Sequence, residues 1–211
     1  MVSFLNSKAE ARIPHSSMVR AYAEFEDQVH LAMTEICAPF CRTCEKPCCR
    51  AEFCEETITS PWLVLVRTSF HPGARYHSRR GWCSSHGCTL PVGRAPVCYE
   101  YFCTRILSGG DGIRGYVLQT LGKLVSFVGQ NALGGVHLVA LLSRDDLRRV
   151  KPKRFRKRLQ IARVALSACR TVLKTTEATP ADLDRMAMIL KFQETRTLPL
   201  FPTPGEEVVS I

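Results

Sequence analysis

No run of about 18 uninterrupted apolar residues, the length that a membrane-spanning helix needs, occurs in this 211-residue chain. The longest candidate, residues 116–142, is broken by a lysine, a histidine, two glutamines, an asparagine and several glycines. The first 17 residues also lack the continuous apolar core and the small-residue cleavage site of a secretory signal peptide. We therefore expect a cytoplasmic protein that works in a reducing compartment and has no membrane partner.

Acidic side chains are scarce relative to basic ones, since 19 Asp and Glu against 29 Lys and Arg give a formal charge of +10. This balance is compatible with an acidic partner, such as nucleic acid, an anionic membrane surface or a phosphorylated ligand, and is also common in proteins that bind none of these. The chain also lacks a glycine-rich phosphate loop, a nucleophile elbow and a carboxylate pair in a recognisable setting. No catalytic residue is therefore assigned, and the sequence leaves open whether the protein is an enzyme.

Cysteine, in contrast, is abundant: the chain has eleven, and six of them fall between Cys37 and Cys54. An odd number would leave at least one thiol over in a closed set of disulfides. Thiolates at this density repel one another unless a divalent metal or an iron–sulfur cluster lies between them. The centre of this stretch is a C-x-x-C-x-x-x-C-C pattern formed by Cys41, Cys44, Cys48 and Cys49.

A second group of cysteines lies in residues 71–103, a segment rich in Gly, Pro, Ser and Arg. This composition predicts a largely irregular backbone. A loop of this length in a compact domain needs something to hold it together. A second set of metal-binding thiols would do so: Cys83, Cys88, Cys98 and Cys103.

The alternatives to metal binding are a disulfide framework, a redox pair and a set of buried free thiols. A reducing compartment disfavours disulfides, and the cysteines that usually occupy cores are isolated ones. A thioredoxin-like redox pair at Cys41 and Cys44 needs a preceding strand, whereas a helix is predicted there. Cys169 lies on the apolar face of a predicted helix, and we interpret it as a core residue.

The spacing of the two groups resembles the YkgJ-like family of zinc- or iron-chelating cysteine-cluster proteins. In that family an early C-x-x-C-x-x-x-C-C is followed by C-x-(I/L)-Y-x-x-R-P-x-x-C-x-x-(Y/F)-x-C. The resemblance covers about residues 37–104 and departs at Pro91, in place of the tyrosine, and at Ala95, in place of the proline. It implies metal ligands at Cys41, Cys44, Cys48, Cys49, Cys83, Cys88, Cys98 and Cys103.

The resemblance implies metal chelation as the function and leaves the metal open. Eight cysteines could form two zinc sites of four thiolates each, which mainly serve folding, or hold one four-thiolate iron–sulfur cluster. Because some multidomain relatives in this family are enzymes, one alternative is an iron–sulfur enzyme or accessory factor that acts on protein side chains. The resemblance assigns no role to Cys37, Cys54 or His86.

Arg94 matches the arginine of the family's R-P pair and lies between two of the implied ligands. Four thiolates around one divalent ion leave a net negative charge, which is costly away from water. We hypothesise that the Arg94 guanidinium donates to a ligand sulfur or a nearby carbonyl; the alternative is a surface arginine in a polar loop. Three nearby histidines could supply a nitrogen ligand, but we interpret them as solvent-exposed: His71, His77 and His86.

Apolar periodicity predicts a mainly α protein, with a metal-nucleated, cysteine-rich and irregular N-terminal half and a helical C-terminal half. Ser60, Ser143 and Thr179 are predicted N-caps. The predicted helices cover about residues 17–38, a segment from 61, residues 113–127, an apolar run at 136–142, a short helix from 144, residues 152–174 and a segment from 180. For the segment from 61, the apolar and partly β-branched residues 62–66 leave a short buried strand as the alternative. The predicted units are a flexible leader (1–16), a cysteine-cluster metal-binding domain (17–108), a helical extension (113–193) and a mobile tail (194–211).

A basic run at residues 144–158 holds nine lysines and arginines against two aspartates. A basic helix can contact phosphates, and each contact adds salt-dependent affinity. Phe155 is the only aromatic residue in the run, and no nucleic-acid-binding module is recognisable around it. The second alternative is therefore a nucleic-acid-associated metal protein, against the simpler interpretation of a solvated helix face.

Overall fold

The computed structural model describes residues 16–41, 51–84, 87–107 and 112–191, and these are mainly helical, as predicted. The predicted tail and almost all of the predicted leader lie outside these ranges. No helix in the described ranges is long and apolar enough to cross a membrane. The α-helices and strands are α1 (Ser16–Cys41), α2 (Ala51–Thr59), α3 (Pro61–Phe70), β1 (Cys83–Ser84), β2 (Gly87–Cys88), α4 (Val97–Glu100), α5 (Thr104–Leu107), α6 (Ile113–Gly129), α7 (Arg144–Arg149), α8 (Pro152–Thr175) and α9 (Pro180–Leu190).

Helix α6 occupies the centre of the fold because its side chains are apolar on nearly all sides. Its residues from Val117 to Gly129 are buried except Gln119 and the half-buried Lys123. It packs against α8, α9, α4 and α1. A helix that is apolar all round must be covered on all sides, and these neighbours cover it.

Helix α1 turns one apolar face to this core. Tyr22, Phe25 and Val29 follow one another at steps of three and four residues and are buried. One large hydrophobic cluster of the described residues draws on α1, α3, α6, α8 and α9 together. The helices before and after the second cysteine group therefore share the same core.

The three predicted N-caps are confirmed. The side-chain oxygens of Ser60, Ser143 and Thr179 each accept a hydrogen bond from the backbone N–H of the residue three positions later. Thr179 forms a full capping box, because Asp182 returns a hydrogen bond to the Thr179 backbone. Prolines at the starts of α3, α8 and α9 contribute as well, since proline at the first helical position lacks only an N–H that would have no intrahelical partner.

The apolar run at 136–142 forms a single 3-10 turn, Leu138–Ala140, and no α-helix. His137 holds this segment against the end of α6. Its Nε2 donates to the Ser126 carbonyl at 2.8 Å, and its Nδ1 accepts the N–H of Val139 at 3.2 Å. The periodicity indicated helix here, but these two hydrogen bonds fix a tight turn that a longer helix could not follow.

Residues 71–84 and 87–103 are largely irregular, as predicted. The regular structure described there is the two-residue antiparallel pair of β1 and β2, together with the short helix α4. The strand register places Cys83 opposite Cys88. Side chains of directly opposed residues lie on the same face of a sheet, so the pairing brings two predicted ligands side by side.

Candidate metal centre

Trp82 fixes the hairpin that carries Cys83 and Cys88. The indole is 2% exposed, and its Nε1 donates to the Thr57 hydroxyl of α2 at 2.6 Å. The guanidinium carbon of Arg67 in α3 lies 5.0 Å from the ring centroid, close enough for a cation–π contact. The start of β1 is therefore held to α2 and α3 from two sides.

Cys54, on α2, lies beside this hairpin and is 6% exposed. Its thiol interacts with those of Cys83 and Cys88 and is within hydrogen-bonding reach of Cys83. Gly81 makes the approach possible, since a Cβ at that position would lie 2.5 Å from the Cys54 sulfur. The sequence left Cys54 without a role, whereas the structure places it with two of the predicted ligands.

The Cys54 thiol is hard to ionise at this position. Burial raises the pKa of Cys54, a hydrogen bond from the Trp82 backbone lowers it, and the proximity of Cys83 and Cys88 raises it again. A bound cation would instead favour the Cys54 thiolate.

Arg94 supplies one positive charge. It is 6% exposed, which excludes the surface-arginine alternative, and it interacts electrostatically with Cys88. Burial lowers the pKa of Arg94, but Tyr99, Cys88 and Glu26 raise it more strongly, so the guanidinium stays charged. Its Nε has no hydrogen-bond partner among the described residues.

The Nε2 atom of His30, on α1, lies 3.2 Å from the Nη2 atom of Arg94. A guanidinium only donates hydrogen bonds, so this imidazole nitrogen must accept, and the ring is neutral. Burial and then the Arg94 charge lower the pKa of His30 to about 4, while Asp27 raises it. His30 therefore fixes the orientation of Arg94 without adding a second charge.

Glu26 is the functional candidate that the sequence reasoning missed. It is fully buried, and its carboxylate accepts the N–H of Gly93 at 2.8 Å, the N–H of Arg94 at 2.9 Å and the Tyr99 hydroxyl at 2.8 Å. Burial raises its pKa to about 7, against the lowering effect of these bonds and of the Arg94 charge. One signal was present in the sequence: Glu26 falls on the apolar face of α1, four residues after Tyr22.

The remaining predicted residues are distributed differently. Cys98 and Cys103 are half-buried and pack against the large core, and Cys41 is exposed at the end of α1. Cys169 is fully buried in α8, which confirms its interpretation as a core residue, and burial raises its pKa to about 12. His77 is exposed, as predicted, and His71 is half-buried. Four predicted or open positions lie outside the described residues: Cys44, Cys48, Cys49 and His86.

Within the described ranges, no group of three or more Cys, His, Asp or Glu side chains is arranged to hold a metal ion. The structure thus brings together Cys54, Cys83, Cys88 and Arg94 but completes no coordination sphere from the described residues. Comparison of the chain with protein-family models, curated proteins and solved structures found no match. The YkgJ-like assignment therefore stays a prediction from the cysteine spacing.

Proposed function

We propose that the protein is a YkgJ-like metal-binding protein that chelates zinc or iron, the latter as an ion or an iron–sulfur cluster. The observation that carries this proposal is the register of β1 and β2, which places Cys83 opposite Cys88, with Cys54 in the small buried cluster against which Cys88 packs. The proposed ligands are those implied by the cysteine spacing: Cys41, Cys44, Cys48, Cys49, Cys83, Cys88, Cys98 and Cys103.

The chemistry of this donor set suits a soft or borderline cation. Thiolates select zinc, copper(I) and iron–sulfur clusters over hard cations such as magnesium. Neutral thiols hydrogen-bond only weakly, so three of them together, one of them buried, form a poor polar cluster by themselves. A metal would favour their ionised forms, and Arg94 would offset part of the negative charge that several thiolates leave around one divalent ion.

The deciding experiment is elemental analysis of the full chain purified without oxygen, together with its visible absorption spectrum. Bound zinc with no visible absorption would identify closed thiolate zinc sites. Bound iron with a brown colour and a charge-transfer band would identify an iron–sulfur cluster. A chain that retains neither metal above background, and takes up neither on anaerobic reconstitution, would overturn the proposal.

Two serine variants give the matched control. Cys88→Ser removes a thiol of the hairpin group, and we expect it to lower the bound metal. Cys169→Ser removes a thiol that is buried in α8 and is not one of the proposed ligands. It should therefore leave the metal content unchanged. Equal metal content in both variants would exclude Cys88 as a ligand.

A basic surface on α7 and the first two turns of α8 favours nucleic acid as a second candidate partner. Arg148 and Arg149 pair with Asp145 and Asp146 at 2.6 and 3.6 Å within α7. Helix α8 contains no acidic residue. Six exposed cations of the run have no acidic partner among the described residues: Arg144, Lys151, Lys153, Arg154, Arg156 and Lys157.

Polyelectrolyte theory gives this candidate a quantitative test. Each phosphate contact contributes about 0.7–0.9 to the slope of log affinity against log salt concentration. Replacing Lys153, Arg156 and Lys157 together by glutamine should therefore reduce that slope by about 2 to 3 for a single-stranded or duplex oligonucleotide. Lys174→Gln, at the opposite end of α8, is the control. Absence of binding at low salt, or equal slopes in both variants, would exclude the basic surface as a nucleic-acid site.

A further inference from the structure

One side chain of α1, Glu26, binds the backbone of the loop between Cys88 and Cys98. The Glu26 carboxylate accepts two successive backbone N–H groups of this loop, from Gly93 to Oε2 and from Arg94 to Oε1. Two parallel donors of this kind fit a carboxylate, which offers two oxygens and no hydrogen. The acceptor and the donors lie 67 and 68 residues apart in the chain, so this contact joins two distant segments.

The loop cannot easily move away from this position. Gly93 has a φ of +81°, and a Cβ there would lie 3.1 Å from the backbone nitrogen of Arg67 in α3. Glycine therefore permits both the backbone conformation and the close contact. With α3 on one side and Glu26 on the other, the position of the loop depends on whether its two buried N–H groups find their acceptor.

The same carboxylate also binds the helix that carries Cys98. The Tyr99 hydroxyl donates to Oε1 of Glu26 at 2.8 Å, and Tyr99 directly follows Cys98 in α4. Glu26 thus contacts both the loop after Cys88 and the residue next to Cys98.

We propose that Glu26 is a positioning residue of the metal centre: it holds the loop that joins Cys88 to Cys98 and, through Tyr99, the short helix that carries Cys98. This inference rests on the proposed metal-binding function and assigns to it a residue from outside the cysteine-rich segment. Partners that orient metal ligands typically change metal affinity about 10- to 100-fold when they are lost.

The test compares Glu26→Gln with Glu24→Gln in the full chain. Glutamine keeps the shape of the side chain but offers only one oxygen, so at least one of the two N–H groups of the loop loses its acceptor. Glu24 lies on the exposed side of the same helix, where it only approaches Arg163 at 3.9 Å. Metal affinity is measured by competition with a chelator for zinc or iron, whichever the wild type binds. Amide hydrogen exchange at Gly93 and Arg94 is measured in the same samples.

We expect Glu26→Gln to weaken metal affinity about 10- to 100-fold and to speed exchange at Gly93 and Arg94. Glu24→Gln should match the wild type in both measurements. If Glu26→Gln does not fold, Tyr99→Phe replaces it: this variant keeps the ring packing, removes the hydroxyl that donates to Glu26 and should weaken affinity as well.

The outcomes separate the two proposals. If the wild type binds zinc or iron and Glu26→Gln, or Tyr99→Phe in its place, retains wild-type affinity, the positioning role is wrong and metal binding stands. A lower melting temperature with unchanged affinity has the same meaning, because it leaves Glu26 with a role in folding alone. If the wild type binds neither metal, the metal-binding proposal fails and the positioning role fails with it.

Discussion

The pKa of Glu26 makes a signed prediction about stability. Its carboxyl has a pKa of about 7 in the folded chain, against a reference value of 4.5. Between these two pH values the folded chain keeps a proton that the unfolded chain releases. The free energy of unfolding therefore falls as the pH rises through this window, by about 3 kcal/mol in all. Arg94 and Tyr99, which face Glu26, have raised pKa values and stay protonated throughout.

His30, one helical turn away, acts in the opposite direction. Its pKa is about 4 in the folded chain, against a reference value of 6.5. Here the unfolded chain binds the proton first, so this contribution to stability is present above pH 6.5 and is lost as the pH falls towards 4. Because His30 is only partly buried, solvent screening reduces the effect to roughly 1 kcal/mol. In the wild type the two slopes partly cancel.

Two variants separate these contributions. Urea unfolding of the wild type, Glu26→Gln and His30→Asn is followed between about pH 5 and 8, at constant metal concentration and without oxygen. Glu26→Gln also loses hydrogen bonds, which lowers its free energy of unfolding by the same amount at every pH. The prediction therefore concerns how its difference from the wild type changes with pH. Relative to the wild type, Glu26→Gln should gain about 2 to 3 kcal/mol as the pH rises. His30→Asn should gain roughly 1 kcal/mol as the pH falls.

The pKa of Glu26 can also be measured directly. The carbon-13 shift of the Glu26 side-chain carboxyl, followed against pH, reports its ionisation without reference to unfolding. A midpoint near the reference value of 4.5 would show that the three hydrogen bonds and the Arg94 charge fully offset burial. Stability curves of the wild type and Glu26→Gln that stay parallel from about pH 5 to 8 would lead to the same conclusion.

Further predictions concern the metal, the thiols, Arg94 and the end of α6. Removal of metal by a strong chelator should unfold much of residues 37–104 while the C-terminal helices keep their structure. The reason is that the binding energy of a structural zinc, on the order of 10 kcal/mol, is also folding energy. Unchanged circular dichroism and proteolysis after verified metal removal would contradict this prediction. Cys98→Ser and Cys103→Ser should each lower the bound metal, and Cys169→Ser should not; metal loss in Cys169→Ser would refute the core assignment. Arg94→Ala should lower metal affinity about 10- to 100-fold. Arg94→Lys should retain only part of the affinity, because lysine keeps the charge but lacks the planar fork of donors. Wild-type affinity in Arg94→Ala, measured by chelator competition, would leave Arg94 without a role. Gly129→Ala should lower the free energy of unfolding by about 1–3 kcal/mol in a denaturation assay, because the new Cβ would overlap the His137 ring. Gly73→Ala is the control and should cost less, because the space around Gly73 is open.

The helices were predictable because their signals are local. Periodic apolar residues indicated α1, α6 and α8, and an N-cap residue followed by an apolar pattern marked the starts of α3, α7 and α9. The 136–142 segment was mispredicted because hydrogen bonds of His137 to Ser126 and Val139, rather than periodicity, decide its conformation. The irregular character of residues 71–103 followed from composition, but the pairing of β1 with β2 is too short to give a strand pattern.

The site was predictable only in part, for a different reason. The cysteine spacing singled out Cys83 and Cys88, and the resemblance singled out Arg94. Cys54 and Glu26 carry no motif, and their roles come from contacts between segments that are distant in the chain. A buried carboxylate that accepts two backbone N–H groups 67 and 68 residues away leaves only one local trace, an acidic residue on an apolar helix face.

The length of α1 has a consequence for how the chain can vary. Glu26 and Cys37 are eleven residues apart on this helix, about three turns, so both lie on the same side, roughly 16 Å from each other. Cys37 packs against the large core there, four residues before Cys41. Insertion or deletion of one residue between them would rotate one relative to the other by about 100°. Length changes between Glu26 and Cys37 should therefore be tolerated only in steps of three or four residues, whereas a single-residue change would turn one of the two side chains away from the core.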